Sequence, residues 1–503
     1  MRMHSFARRC LVAAMFFTML AGSLCEGRDF NLEDRVEKFL LPNGLTFLVL
    51  QRHFSPTVAF SIAYRVGAVE EESGRTGTAH FLEHMLFKGT ETIGTKDYQA
   101  ERLILKEIDQ IGSFFDEERR RNPRPDNRRT AELEERLKKL EAKAKSFIVE
   151  SEIDRLYTEN GGVDLNAGTG HDITTYYVSL PSNKVELWAR IESDRMAKPV
   201  FREFYTERKV VQEERLQSIE SNPHRLLMEQ FFAAAFSAHP YRRPVIGWPS
   251  DIKYLNKRYV SHFYDTYYGP SNTVIAIVGD VKTKEIREIV ARYFGSIATR
   301  NAPARDITEE SPQRGPRRVE ILFDAEPEIA IGYHKPNLPH ADDYVFDLID
   351  NILSDGRSSR LYRELVERQG IASSVNGANG LPGSRFPNLF CLFAKPRAPH
   401  GIAEVESALL HELNRLREDK VSDRELEKAK NAIRNDFIKG LSSNSGIAGM
   451  LTYFEVVAGD YRYISKHYDR IESLNADDIM RVARQYFNNI NRTTAVLMKD
   501  VRS

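Results

Sequence analysis

His80, Glu83 and His84 stand together in HFLEHMLFKGT, residues 80–90. Histidines four apart on a helix project from one face, so both imidazoles can reach one ion. Imidazole nitrogen suits zinc, at about 2.0–2.1 Å from the metal. Glu83, just before the second histidine, can reach a metal-bound water without displacing it, in the order H-x-x-E-H, the inverse of H-E-x-x-H. Two histidines leave such a site incomplete, because a hydrolytic zinc takes a third protein ligand and keeps one position open. TERKVVQEERL (206–216) offers candidates: Glu207 and Glu214 are seven apart, two turns along one face, while Glu213 points elsewhere. On their own, paired acids there read more readily as partners in solvated salt bridges. His171, His239, His262 and His340 read as surface or structural residues.

These residues need elements to hold them. VEKFLLPNGLTFLVLQRH (36–53) predicts two strands joined at Asn43-Gly44. TVAFSIAYRVGAVEE adds a strand. In GRTGTAHFLEHMLFKGT, Gly and Thr open a helix that Gly89 closes. Between 101 and 160, Leu133, Leu137, Leu140, Ala144 and Phe147 keep heptad spacing, and Ile108, Ile111 and Phe115 form a shorter stripe. RRRNPRPDN must break the helix between the stripes. The expectation is a charged helical hairpin projecting from the domain, a solvated insertion or alternatively a docking arm for a partner.

Strand pattern returns in GGVDLNAGTGHDITTYYVSLP (161–181), then helical NKVELWARIESDRM and a long charged helix EFYTERKVVQEERLQSIES (203–221). NTVIAIVGDV is a buried strand closing the first domain. TRNAPARDITEESPQRGPRR, rich in proline and charge, reads as the interdomain connection. The second half repeats the plan faintly, with a helix at 343–355 in the place of the His80 helix but without histidine. The expected class is α+β: two related α/β domains, 35–295 and 317–503, joined by 296–316, with 101–160 inserted in the first.

Lys+Arg and Asp+Glu are both 72, so net charge gives no reason to expect nucleic acid as a partner. A basic start, MRMHSFARRC, then the apolar CLVAAMFFTML and the small residues of AGSLCEG predict an export signal over residues 1–25, with Ala21-Gly22-Ser23 an acceptable cleavage site. The apolar run is short for a stable membrane span. Periplasmic or secreted protein is the expectation, a mitochondrial presequence the alternative. Of Cys10, Cys25 and Cys391, at most two survive signal removal, so no disulfide framework is expected.

HFLEHMLFKGT together with ERKVVQEE resembles the pitrilysin family of zinc metallopeptidases, whose members pair H-x-x-E-H with a downstream E-R-x-x-V-x-x-E. The resemblance implies one Zn²⁺ per chain on His80, His84 and Glu214, Glu83 as general base, and Glu207 as a supporting acid behind the ligands. LNAGTGHDITTYYV resembles the family's edge strand, where Asn166 and Ala167 would hold the substrate backbone as an added β-strand. HPYRRPVIG and YYGPSNTVIAIVGDV are similar to segments closing the first domain. The implied activity is an endopeptidase or oligopeptidase for extended peptides, in the two-domain form of the family. One departure stands out. In ELVERQGIASSV, Val366 and Ser373 occupy positions where complete members carry an arginine and a tyrosine that contact substrate and oxyanion. The expectation is therefore a second pitrilysin-family subunit, or a second copy in a homodimer, that supplies the pair. The competing readings are a non-catalytic core subunit and a peptide-binding protein with structural zinc.

Overall fold

Strand β1 (Val36–Leu40) turns back into β2 (Thr46–Gln51), pairing Leu40 with Thr46. The Asn43 amide donates to the Phe294 and Ile297 carbonyls at 2.8 and 3.1 Å, pinning the turn to the far end of the same domain. The computed structural model describes residues 32–120, 126–300 and 306–499. The expected signal segment, 1–25, lies outside them.

The first domain continues through β3 (Thr57–Tyr64), α1 (Thr78–Met85), α2 (Tyr98–Arg120), α3 (Asn127–Lys145), β4 (Val163–Thr169), β5 (Thr174–Pro181), α4 (Val185–Ala197), α5 (Phe204–Arg215), α6 (Pro223–Ala235) and β6 (Thr273–Gly279). Its sheet runs β1-β2-β6-β3-β5-β4, with β2 and β6 parallel and the other pairs antiparallel. The second domain has β7 (Arg317–Phe323), β8 (Glu328–Lys335), α7 (Ala341–Ser354), β9 (Ala372–Leu381), β10 (Asn388–Pro396), α8 (Asn444–Val457) and β11 (Arg492–Lys499). Its order, β7-β11-β8-β10-β9 with only β7 and β11 parallel, repeats β2-β6-β3-β5-β4 strand for strand. The duplication that the sequence only hints at is thus explicit in the topology, and α7 follows β8 as α1 follows β3.

Both faces of the first sheet are covered, which is why every residue of β6 is buried and apolar or small. Phe47, Phe60, Ile62 and Ile277 face α1 and α4 in the main core. Leu48, Leu50, Val274 and Val278 face the other way, against Ile447, Ala448 and Leu451 of α8 from the second domain. The first domain returns the contact: Leu227, Phe231 and Ala235 of α6 bury against Ala330, Ala495 and Leu497 of the second sheet. Gly332 permits this approach, since a Cβ there would stand 2.5 Å from the Phe231 ring. Each large apolar side chain so buried contributes roughly 1.5–3 kcal/mol.

One sequence expectation changes. The hairpin forms, but α2 and α3 lie on the domain instead of projecting. Ile104, Leu105, Ile108, Ile111 and Phe115 of α2 join the main core with Leu137 and Ala144 of α3. Glu101 meets Arg202 at 2.7 and 3.0 Å, both fully buried, and Asp116 meets Arg208 at 2.9 Å. A heptad stripe buries equally well against its own domain as against a free partner helix, so spacing could not separate the two. The long charged helix spans its expected length, but α5 ends as α-helix at Arg215 and its last turn, Leu216–Glu220, is π-helical. Such turns frequently mark functional positions.

Candidate metal centre and catalytic site

Helix α1 starts at Gly77, whose φ of +87° and backbone contact with Ile246 leave no room for a side chain. The buried Glu71 carboxylate accepts the N–H groups of Gly77 and Ala79, satisfying the helix's first donors. Phe81, Leu82 and Met85 anchor one face in the core. That fixes the opposite face, from which His80, Glu83 and His84 project.

Helix α5 supplies the acids. His80 Nε2 lies 3.6 Å from Glu214 Oε1, and His84 Nε2 lies 3.4 Å from Glu214 Oε2. The ligand atoms of the three side chains fall within 4.8 Å of one another, the only such His/Cys/Asp/Glu group among the described residues. Two ligands about 2.0–2.1 Å from one tetrahedral zinc sit roughly 3.4 Å apart. The donor set therefore fits zinc. Glu214 Oε2 is buried and finds no hydrogen bond within the protein, as expected of an atom shaped for a cation.

The surroundings orient these groups. Glu207 Oε1 holds His84 Nδ1 at 2.9 Å, which leaves Nε2 facing Glu214. Lys88 Nζ lies 2.6 Å from Glu207 Oε2 and keeps that carboxylate charged and in place. Burial pulls the His84 pKa down, but Glu207 and Glu214 outweigh it and raise it to about 9. Burial carries His80 the other way, to about 4, against the pull of Glu214. Glu83 is raised, chiefly by burial, and Thr169 Oγ1 donates to its Oε2 at 2.7 Å. A carboxylate so placed is a stronger base than an exposed one.

Strand β4 ends the sheet and presents a free edge beside α1. Asn166 pairs with Tyr177 and Ala167 with Tyr176 across β5. Asn166 Oδ1 accepts the Ala167 N–H at 2.8 Å, so the side chain satisfies that amide locally. One cavity of about 520 Å³ opens at Glu83 and His84, lined by Phe87, Lys88, Glu150 and Glu152 among others. A second, of about 320 Å³, opens at His80 and Glu214.

All of His80, Glu83, His84, Glu207 and Glu214 thus converge, while Val366 and Ser373 stand apart in the second domain. Val366 packs on that domain's core, and Ser373 Oγ donates to the Lys395 carbonyl. Of the arginines Arg360, Arg363 and Arg368 that flank these positions, Arg360 is held by Glu425 and Arg368 by Glu364. The sequence reasoning missed Thr169 and Lys88. Strand alternation from Ala167 places Thr169 on the same face, and Lys88 follows His84 by one helical turn; both signals were in the quoted motifs.

Comparison with known proteins places the family and the fold. The model described as Insulinase (Peptidase family M16) matches residues 46–117 and 134–248. The model described as Peptidase M16 inactive domain matches 254–433, beginning ahead of β6 although that strand is hydrogen-bonded into the first sheet. Zinc protease PqqE of Helicobacter pylori is 26% identical over 468 residues, covering 92% of each chain. An uncharacterized zinc protease of Mycobacterium leprae is 26% identical over 459 residues, covering 89% of this chain and 88% of that one. A solved protease from Helicobacter pylori superposes with a TM-score of 0.77 at 25% identity, covering 92% and 99% of the two chains. The first half of the periplasmic protease PqqL from Escherichia coli shares the fold, with a TM-score of 0.66 at 17% identity and 92% of each chain covered. With the inverted motif, the duplicated fold and both family matches in accord, the chain belongs to the pitrilysin family, peptidase family M16.

Proposed function

We propose that this chain is a zinc-dependent endopeptidase or oligopeptidase acting on extended peptides. The observation that carries the proposal is the meeting of His80, His84 and Glu214 around one point, with Glu83 held beside it by Thr169. Relatives named zinc proteases support a metallopeptidase at the level of the family.

His80, His84 and Glu214 would hold the ion. When bound, zinc lowers the pKa of water towards 7 and polarises a scissile carbonyl. Glu83 takes the proton from the attacking water at its carboxylate, then delivers it to the leaving amine. Thr169 keeps Glu83 aimed, and the Lys88–Glu207 pair keeps His84 in the tautomer that frees Nε2. The open edge of β4 at Asn166–Thr169 takes the substrate as an added strand, which requires an unfolded peptide. Asn166 would surrender the Ala167 amide to the incoming carbonyl.

Within this reading the domain over 35–295 carries the chemistry, and the domain over 317–503 helps to enclose substrate. Val366 and Ser373 supply neither a cation nor a phenol, so a second subunit of related fold, or a second copy, contributes oxyanion donors. The N-terminal sequence supports export to the periplasm or beyond. Among the described residues no helix is long and apolar enough to cross a membrane. The alternative, a non-catalytic core subunit, draws on the same two positions.

The test is hydrolysis of unstructured quenched-fluorescence peptides by the zinc-loaded chain, alone and with a candidate partner, beside Glu83→Gln. Cleavage that chelation and Glu83→Gln both abolish is the expected result. Zinc-loaded protein inert under every pairing would favour the core-subunit reading.

A further inference from the structure

Helix α6 is two-faced. Leu227, Phe231 and Ala235 bury against the second domain's sheet. Arg225, Met228 and Phe232, spaced three and four apart, stand on another face and line the cavity of about 320 Å³ that also contains His80 and Glu214. This cavity therefore adjoins the candidate metal ligands His80 and Glu214 directly.

Its charge is lopsided. Arg225, Arg242 and Arg243 all line it. Arg242 donates to the Ser237 carbonyl, and Arg243 to the Glu71 carbonyl and Ser73 Oγ; Arg243 also feels the Glu71 and Asp251 carboxyls, so Arg225 and Arg242 carry the cationic character there. The exposed Arg225 guanidinium makes no direct ion pair or side-chain hydrogen bond among the described residues, although its charge reaches Glu214 across the cavity. Two acids also line the wall, but Glu229 is bound by Arg215 at 2.8 and 3.0 Å, and Glu214 faces the metal position. Met228, Phe232 and Ile219 give the floor apolar surface.

We propose that this cavity is a substrate subsite for a carboxylate next to an apolar side chain, with Arg225 its specificity-determining residue. The carboxylate has two possible sources, the free C-terminus of a short peptide or an internal Asp or Glu. The inference rests on the proposed peptidase reading and names the substrate class for it. A guanidinium whose N–H groups are not hydrogen-bonded within the protein offers paired donors to a carboxylate, a fit an amide cannot match. The apolar floor removes the adjoining side chain from water.

Binding is measured by fluorescence anisotropy on the zinc-loaded Glu83→Gln chain, which holds peptide without cutting it. The probes are one unstructured peptide with a free C-terminal carboxylate, the same peptide amidated, and versions with internal Asp or Glu exchanged for Asn or Gln. The expected result is about tenfold tighter binding of carboxylate-bearing peptides. Arg225→Ala in the same background removes the preference, Arg225→Lys keeps part of it, and Arg225→Glu shifts it towards lysine-bearing peptides. Discrimination by the C-terminal acid alone identifies end recognition, and by internal acids alone an internal subsite; either supports the proposal. Equal binding of acidic and neutral peptides, no measurable binding of acidic peptides, or a preference unchanged in the Arg225 variants overturns it. A chain that discriminates in binding yet, with Glu83 restored, cuts nothing either alone or with any candidate partner would sink the peptidase reading and leave the subsite standing.

Discussion

Glu83 and Glu214 sit within one helical cluster but have separable duties, and substitution should separate them. Glu83→Gln keeps the ligand set intact, so zinc content should stay at one per chain while turnover falls by about 10²–10⁴-fold. Glu214→Gln removes the charged ligand, so zinc and activity should fall together; retained zinc would assign Glu214 another role. Thr169→Val deletes the hydrogen bond to Glu83 Oε2. It should lower kcat by roughly tenfold, about the worth of one charge-assisted hydrogen bond, with KM little changed, and Thr169→Ser should restore it. The histidines and Glu83 were legible because helical spacing alone puts them on one face. Glu214 was legible only through the resemblance of ERKVVQEE to the family motif: its seven-residue offset from Glu207 suits a salt-bridged surface more readily, and the approach of α5 to α1, a tertiary event, is what brings it beside the histidines.

Among the elements, the hairpin α2–α3 is held by charge as well as by apolar packing. Glu101→Ala leaves Arg202 charged, buried and without its carboxylate, which should destabilise the domain by about 3–5 kcal/mol, read as a lower denaturant midpoint. A cost under about 1 kcal/mol, the level of an exposed pair, would mean that water replaces the partner. Between the domains, Glu310 accepts the N–H groups of Ser237, Ala238 and His239. Burial pushes its pKa up, but these donors outweigh that and hold it at about 2, below the ordinary 4.5. Such a depressed carboxylate adds stability that is complete above about pH 4.5 and is lost as pH falls towards 2. Glu310→Gln should therefore cost about 1–2 kcal/mol at pH 7, discounted for solvent screening, and the gap from wild type should close as pH falls from 4.5. A pH-independent gap would assign the loss to packing. Strands and hairpin helices were readable from periodicity, yet what their apolar faces meet was not, since a stripe names no partner.

Across the whole molecule, each domain covers the other's sheet: α8 on the first, α6 on the second. Calorimetry of the metal-free chain should consequently show one unfolding transition, and two resolved transitions would contradict this interlock. The exchange also explains why α6 lines the cavity at His80 and Glu214 while serving the second domain's core. Arg225 on one face and the apolar residues on the other meet different surroundings, and composition alone shows only a mixed helix. The duplication is the feature least visible in sequence, because a shared strand order needs no shared residues, only the same alternation of buried and turn positions.

Zinc stoichiometry of the purified chain, measured by atomic emission for the wild type beside His84→Ala and Glu214→Gln, tests the metal centre most directly. One zinc per chain in the wild type and loss in both variants is the predicted result. Wild-type protein that takes up no zinc, or variants that keep it, would contradict a site built from His80, His84 and Glu214.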